Sequence, residues 1–327
     1  MISRVTIANY KSVEQADFEA RRVNVFIGEP NSGKSNLLEA IGVLSPGILE
    51  QLRELCRIQQ PADLFFDREL DREINVVLGE IGGWNLVLNR NDGLIRGLIK
   101  PPMGNGGFTL DPNGLFSGAN PIKESAIRFY QYRSLTKGQS DKSHYPYLAN
   151  YLRPPFGANL PNLLYTNKAL RESVSAFFKS KDFRLELRPQ DNEILMSKEV
   201  DDVLYSFPFE SISETMRRIV FYKAALESNK DAVLVLDEPE ANTFPFYTKY
   251  LAERIALDTS NQFFLSTHNP YVLMSIIEKT PQTELAVYAT RMRNYRTEVH
   301  LLTPENCAEA LELGMDLFLN LERFFPE

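Results

Sequence analysis

The chain is poor in the residues that most often announce chemistry. Its 327 residues include two cysteines, three histidines and one tryptophan. Cys56 and Cys307 are too far apart in sequence to form a metal cluster by themselves, and they argue for a reducing cytoplasm over a disulfide scaffold. No run of about 18 apolar residues is present to span a membrane. The opening Met1-Ile-Ser-Arg-Val-Thr-Ile reads as a strand, without the basic-then-apolar layout of a signal peptide. A basic excess is also missing, since the net charge is −7. Proteins that hold nucleic acid chiefly through its phosphates usually carry positive excess, so the balance counts against constitutive DNA binding. Repeats, low-complexity tracts and heptads are absent, which excludes a long coiled-coil arm. A cytoplasmic protein with no membrane association is expected.

What is present is ordinary globular composition, 43% hydrophobic and 24% charged, enough for one large domain or two lobes sharing a sheet. Residues 2–8 alternate as a strand, and residues 22–27 form a β-branched apolar run ending at Gly28. Leu37, Leu38, Ile41 and Leu44 then fall at helical spacing, stopped by Pro46-Gly47. The middle is less regular. Residues 74–79 and 84–89 read as a hairpin, 101–121 as an exposed loop, 126–132 as a buried strand and 133–155 as irregular chain. A helix is expected over 162–178 and a second hairpin from 183–187 and 193–196. Regular α/β alternation returns near residue 213, with helices over 213–228, 246–257, 272–278 and 305–313. Strands are expected at 232–236, 262–266, 284–290 and 297–302.

Three pieces carry chemistry. Gly28-Glu29-Pro30-Asn31-Ser32-Gly33-Lys34-Ser35 fits G-x-x-x-x-G-K-S between a strand and a helix. There the glycines let backbone N–H groups curl around phosphates, Lys34 reaches the β- and γ-phosphates, and the Ser35 hydroxyl faces Mg²⁺. The helix N-terminus adds partial positive charge. About 200 residues on, the apolar run Val233-Leu-Val-Leu delivers Asp237 and Glu238 at a strand end, where open α/β sheets place ligands. Asp237 suits Mg²⁺, and Glu238 suits the general base that polarises a water. The next strand ends in Ser266-Thr267-His268-Asn269, placing His268 one strand over, within reach of a γ-phosphate or the water.

Together with Asn9-Tyr10-Lys11-Ser12, these pieces resemble the ABC-type ATPases of the RecF/SMC/OLD group, and above all the small prokaryotic AAA_15/AAA_21 ATP-binding proteins. The likeness is strongest over residues 1–45 and 210–325. It implies an α/β, two-lobed ABC-ATPase head of mixed sheets flanked by helices. A single ATPase domain would span residues 1–327, with a phosphate-loop lobe to about residue 60, a variable middle to about 210 and a second lobe beyond. It also implies ATP and Mg²⁺ as ligands, held by Gly28, Glu29, Asn31, Ser32, Gly33, Lys34, Ser35 and Asn36, with Asp237 on the metal. By the same likeness Lys11 approaches the nucleotide, although a surface lysine explains it equally well. Gln131, following an internal strand, would contact Mg²⁺ and water; a polar strand residue is the alternative.

The departure lies in the helix that normally opens S-x-G and binds a partner's γ-phosphate. Here Ser211-Ile-Ser213-Glu214 puts a glutamate where glycine is expected, leaving Ser213 and Arg217 as candidates for contact in trans. A plain Ser-capped helix accounts for the stretch nearly as well. Asn242-Thr243-Phe244-Pro245 stands where relatives line a dimer interface. Arg291, Arg293 and Arg296 read as a solvated edge rather than a nucleic-acid groove.

The resemblance therefore implies Mg²⁺-dependent ATP hydrolysis driving a homodimer switch, read by a separate effector protein, with a place in anti-phage defence. A RecF-like DNA-repair clamp and a weakly hydrolysing ATP sensor are the alternatives.

Overall fold

Three sheets organise the computed structural model, which describes residues 1–79, 83–100, 106–118, 122, 125–133, 150–313, 318 and 320–325. β1 (Arg4–Tyr10) and β2 (Val13–Glu19) form an antiparallel pair, with Val5, Ile7, Val13 and Phe18 turned inward. β3 (Val23–Gly28) leaves that sheet and feeds α1 (Lys34–Gly42) and the one-turn α2 (Leu52–Leu55). The chain then returns. β4 (Ile74–Leu78), β5 (Trp84–Asn91), β6 (Leu94–Lys100), β7 (Gly106–Leu110) and β8 (Phe116–Gly118) complete a seven-stranded sheet ordered β2-β1-β4-β5-β6-β7-β8. This sheet runs across residue 60, so the first half of the middle stretch packs as part of the phosphate-loop lobe.

β9 (Ile127–Tyr130) joins a second, six-stranded sheet. Before that sheet continues, the chain makes α3 (Leu160–Thr166), α4 (Lys168–Lys179) and a three-stranded antiparallel sheet of β10 (Arg184–Arg188), β11 (Glu193–Val200) and β12 (Val203–Pro208). Then come α5 (Glu214–Ser228), β13 (Val233–Asp237), α6 (Pro245–Leu257), β14 (Gln262–Ser266) and α7 (Pro270–Lys279). β15 (Leu285–Arg293), β16 (Arg296–Leu301) and α8 (Pro304–Leu313) follow. The central order is β16-β15-β3-β14-β13-β9, parallel from β15 to β9.

Period-two alternation divides the central strands between two cores. Phe26, Val235, Phe264 and Tyr288 face α1 and the seven-stranded sheet, whereas Val25, Leu234, Leu265 and Val287 face α5, α6 and α7. Burial on both faces explains the near-continuous apolar runs of β3, β13 and β14. Because those strands are parallel, their carboxyl ends lie side by side.

The local readings differ in three respects. The expected helix over 162–178 is two helices, broken at extended Asn167, whose side chain accepts the Leu170 N–H and caps α4. Within 101–121, β7 and β8 pair where the sequence suggests only a loop, residues 101–105 and 119–121 lying outside the described residues. β2, β6 and β12 were not foreseen; β12 buries none of its six residues, so it offers no inward face to read. Most of the irregular stretch 133–155, including His144, also lies outside the described residues. Among the described residues the longest helix has 15 residues, and none is long and apolar enough to cross a membrane.

Candidate functional site

The site forms where β3, β13 and β14 end together. Gly33 precedes α1 with a left-handed φ of 94° and no side-chain cap, leaving the first-turn N–H groups for a ligand. A side chain at Gly33 would collide with Thr297, and one at Gly28 with Thr290 and Ser32. The loop is thus pressed against β15 and β16. The hydroxyls of Ser32 and Thr290 share a hydrogen bond of 2.7 Å, and Thr290 donates to the Ile27 carbonyl at 3.0 Å. Asn36 donates to the Ser12 hydroxyl at 2.6 Å, and Ser12 in turn meets Thr297 at 2.7 Å.

Lys34 is buried, its ammonium donating to the carbonyls of Gly28 and Glu29 at 2.9 Å each. Burial lowers its pKa, while the charges of Glu238 and Asp237 pull it back up. The cation therefore sits in the field of both acids. Ser35 is half-buried; Glu29 and Asn31 are exposed at the loop's rim. Lys11 lies elsewhere: its ammonium pairs with Glu39 of α1 and donates to the Cys56 carbonyl, on the flank of α1.

Register brings the acids to the histidine. Asp237 pairs with Ser266 across β13 and β14. The Ser266 hydroxyl donates to Asp237 Oδ1 at 2.5 Å and accepts the Glu238 N–H at 3.0 Å, so one side chain orients both acidic residues. Glu238 has a left-handed φ of 43°, which carries its side chain off the strand axis. Its Oε1 lies 3.1 Å from His268 Nδ1, and both side chains remain open to solvent. Leu236 pairs with Tyr130, so Gln131 leaves β9 one residue beyond, beside Asp237.

Mg²⁺ and a triphosphate fit these residues. Among the described residues no group of three His, Cys, Asp or Glu side chains gathers to hold a metal alone. Ser35 and Asp237 offer two oxygen donors, the arrangement a hexacoordinate Mg²⁺ meets when phosphates and water complete its shell.

The α5 candidates keep local company. Ser213 caps the helix, accepting the Met216 N–H at 3.4 Å. Glu214 pairs along the helix with Arg218 at 3.2 Å, and so spends its charge within its own turn. The charge of Arg217 acts on Tyr132. Thr215 donates to the Asn242 carbonyl at 3.0 Å, tying the start of α5 to the turn after β13. In that turn Phe244 is exposed, as is Phe246 in the first turn of α6. Arg291 pairs with Glu298 and Glu322, and Arg296 with Glu14.

Sequence reasoning missed Ser266, Thr267, Thr290 and Glu240. The visible signal was a pair of hydroxyl residues directly before His268, at the end of a strand neighbouring the acids. Glu240 followed Asp237-Glu238-Pro239 in plain view, but nothing in the sequence told that it is buried.

Residues 112–275 match the family described as "AAA domain, putative AbiEii toxin, Type IV TA system", and residues 1–61 match the AAA ATPase domain family AAA_15. A stretch of 46 residues, 14% of the chain, is 46% identical to the DNA replication and repair protein RecF of Phocaeicola vulgatus, covering 12% of that protein's length. A crystal structure of an SmcHead bound to the C-winged helix domain of ScpA aligns over 94% of this chain and 99% of its own, with 15% identity and a TM-score of 0.55. That likeness is one of fold.

Proposed function

The chain belongs to the AAA_21 family, among the ABC-type ATPases of the RecF/SMC group, and from that premise we propose that it hydrolyses ATP as a switch. The 3.1 Å contact between Glu238 and His268, opposite buried Lys34, carries the reading. On binding, the triphosphate takes the place of the Gly28 and Glu29 carbonyls as partner of the Lys34 ammonium. The α1 N-terminus and the loop N–H groups hold its oxygens. Ser35 and Asp237 would hold Mg²⁺, which would supply charge neutralisation at the phosphates. Glu238 accepts a proton from water as the water oxygen bonds to the γ-phosphorus and the bond to the β,γ-bridging oxygen breaks. His268 orients Glu238 through Nδ1, leaving Nε2 for the γ-phosphate. Gln131 contributes from the end of β9.

The site is one half of a shared one in this reading. A second copy would present Ser213 and Arg217 to the γ-phosphate, with the Asn242–Pro245 turn between the copies. Glu214 does not oppose this, being engaged by Arg218. ATP closes the homodimer, hydrolysis opens it, and a separate effector protein in the cytoplasm reads the state. The family's putative AbiEii toxin and type IV toxin–antitoxin association supports a setting in defence against phage.

Substitution Glu238→Gln tests the proposal. Hydrolysis should fall by at least about a hundredfold while ATP binding persists, and light scattering should report ATP-dependent dimers. Hydrolysis at the wild-type rate would remove Glu238 from its role. The match to RecF favours one other reading, a DNA clamp; a duplex shifted in a gel at physiological salt would establish it, against a net charge of −7.

A further inference from the structure

Two residues beyond Glu238, a second glutamate turns the opposite way. Glu240 is 3% exposed. Its Oε1 accepts a hydrogen bond of 2.5 Å from the Thr267 hydroxyl, and its Oε2 is buried without a partner. A carboxyl so placed is costly unless its position is needed. We infer that Glu240 is a positioning residue for the hydrolytic step, fixing His268 against Glu238 by locking the turn after β14 to the turn after β13. The inference rests on the ATPase reading of the same site.

The argument follows the hydrogen bonds. Thr267 is fully buried, and its hydroxyl both donates to Glu240 and accepts the Asn269 N–H at 3.0 Å. Its own N–H donates to the Phe26 carbonyl on β3 at 3.0 Å. His268 is therefore flanked by two residues whose places depend on one hydroxyl. On the other side, the Glu240 carbonyl accepts the Thr243 N–H at 3.0 Å and the Thr243 hydroxyl at 2.6 Å. The Ala241 N–H donates to the Glu238 carbonyl at 3.0 Å. Glu240 thus joins the backbone that carries the base to the turn that carries the histidine. Ser266 bridges the same strands one residue earlier, at Asp237 and the Glu238 N–H. Two successive clamps leave His268 little freedom to drift from Glu238.

Burial favours the neutral form of Glu240. Burial pushes its carboxyl up to about 7, with the Glu238 charge adding to that, while Thr267, its own N–H and His268 oppose. Tyr222 of α5 is close enough to feel its charge. A neutral carboxyl and a carboxamide present the same acceptor to Thr267, so glutamine should serve as well as glutamate.

The experiment compares Glu240→Gln, Glu240→Ala and Thr267→Val. Steady-state ATP hydrolysis is measured alongside the imidazole ¹⁵N signals of His268, identified by their loss in His268→Asn. For Glu240→Ala we expect kcat to fall at least tenfold with KM within threefold of wild type, and the His268 signals to move. Glu240→Gln should restore both. Should Glu240→Ala fail to melt cooperatively, Thr267→Val, which keeps shape and removes the donor, is judged by the same criteria. An undiminished kcat, a rise in KM matching the fall in kcat, or unmoved His268 signals in the donor- or acceptor-free variant overturns the inference. A wild-type protein that does not hydrolyse ATP defeats the proposed function instead, and the His268 signals still decide whether Glu240 positions the turn.

Discussion

The parallel core of the central sheet and the three-stranded sheet of β10, β11 and β12 are built from similar residues to opposite ends. β13, Val-Leu-Val-Leu-Asp, buries its four apolar residues between two cores. β12, Val-Leu-Tyr-Ser-Phe-Pro, is exposed throughout and occupies an edge. Apolar composition alone therefore predicts neither burial nor purpose. What separates the two is covering: helices pack on both faces of β13, whereas β12 has one paired edge and, among the described residues, exposed side chains throughout. In the first sheet side chains can be held to ångström tolerance, which a hydrolytic site demands.

Large-to-small substitution is the strongest way to break this comparison. Leu234→Ala, at a fully buried position, should cost about 2–5 kcal/mol in chemical denaturation, through lost contacts and the cavity left behind. A cost below that range would mean the core beneath the acids collapses to fill the gap.

Next in size is a pH effect that only the buried region should show. Glu240 keeps its proton in the fold up to about pH 7, whereas its ordinary value is 4.5. The folded state thus binds the proton more tightly. Its contribution is greatest below pH 4.5 and is lost as pH rises to about 7, a swing on the order of 3 kcal/mol. Glu240→Gln has no proton to lose, so its stability relative to wild type should be higher at pH 8 than at pH 5. An equal difference at both pH values would show that Glu240 ionises freely.

The smallest effect belongs to the edge. Leu204 is 52% exposed, and Leu204→Ala should change stability by no more than about 0.5 kcal/mol. A loss comparable to that at Leu234 would erase the distinction between the sheets.

The same contrast explains what the sequence disclosed. β3, β13 and β14 were legible because burial on both faces writes uninterrupted apolar runs, and their ends carried Lys34, Asp237, Glu238 and His268 at family spacing. β12 was illegible because no face of it is buried, so no alternation marks it. Asn167 hid inside a helical pattern because its capping hydrogen bond, not its polarity, breaks the helix. Glu240 and Ser266 escaped because their roles come from register between strands 29 residues apart, as Asp237 and Ser266 are, and register is written only when the sheet forms. For Lys11, which the family likeness leaves between nucleotide contact and a plain surface lysine, packing turns the ammonium onto Glu39.

The backbone at Glu238 has a further meaning for variation in this protein. A left-handed conformation suits glycine or asparagine better than a residue with a long side chain, by about 1 kcal/mol or more. Folding alone would thus favour replacing Glu238, and a chain with asparagine at that position would be no less robust. Under the proposed ATPase reading, retention of a glutamate there against the preference of its own backbone, in any descendant of this sequence, would report selection for turnover rather than for structure.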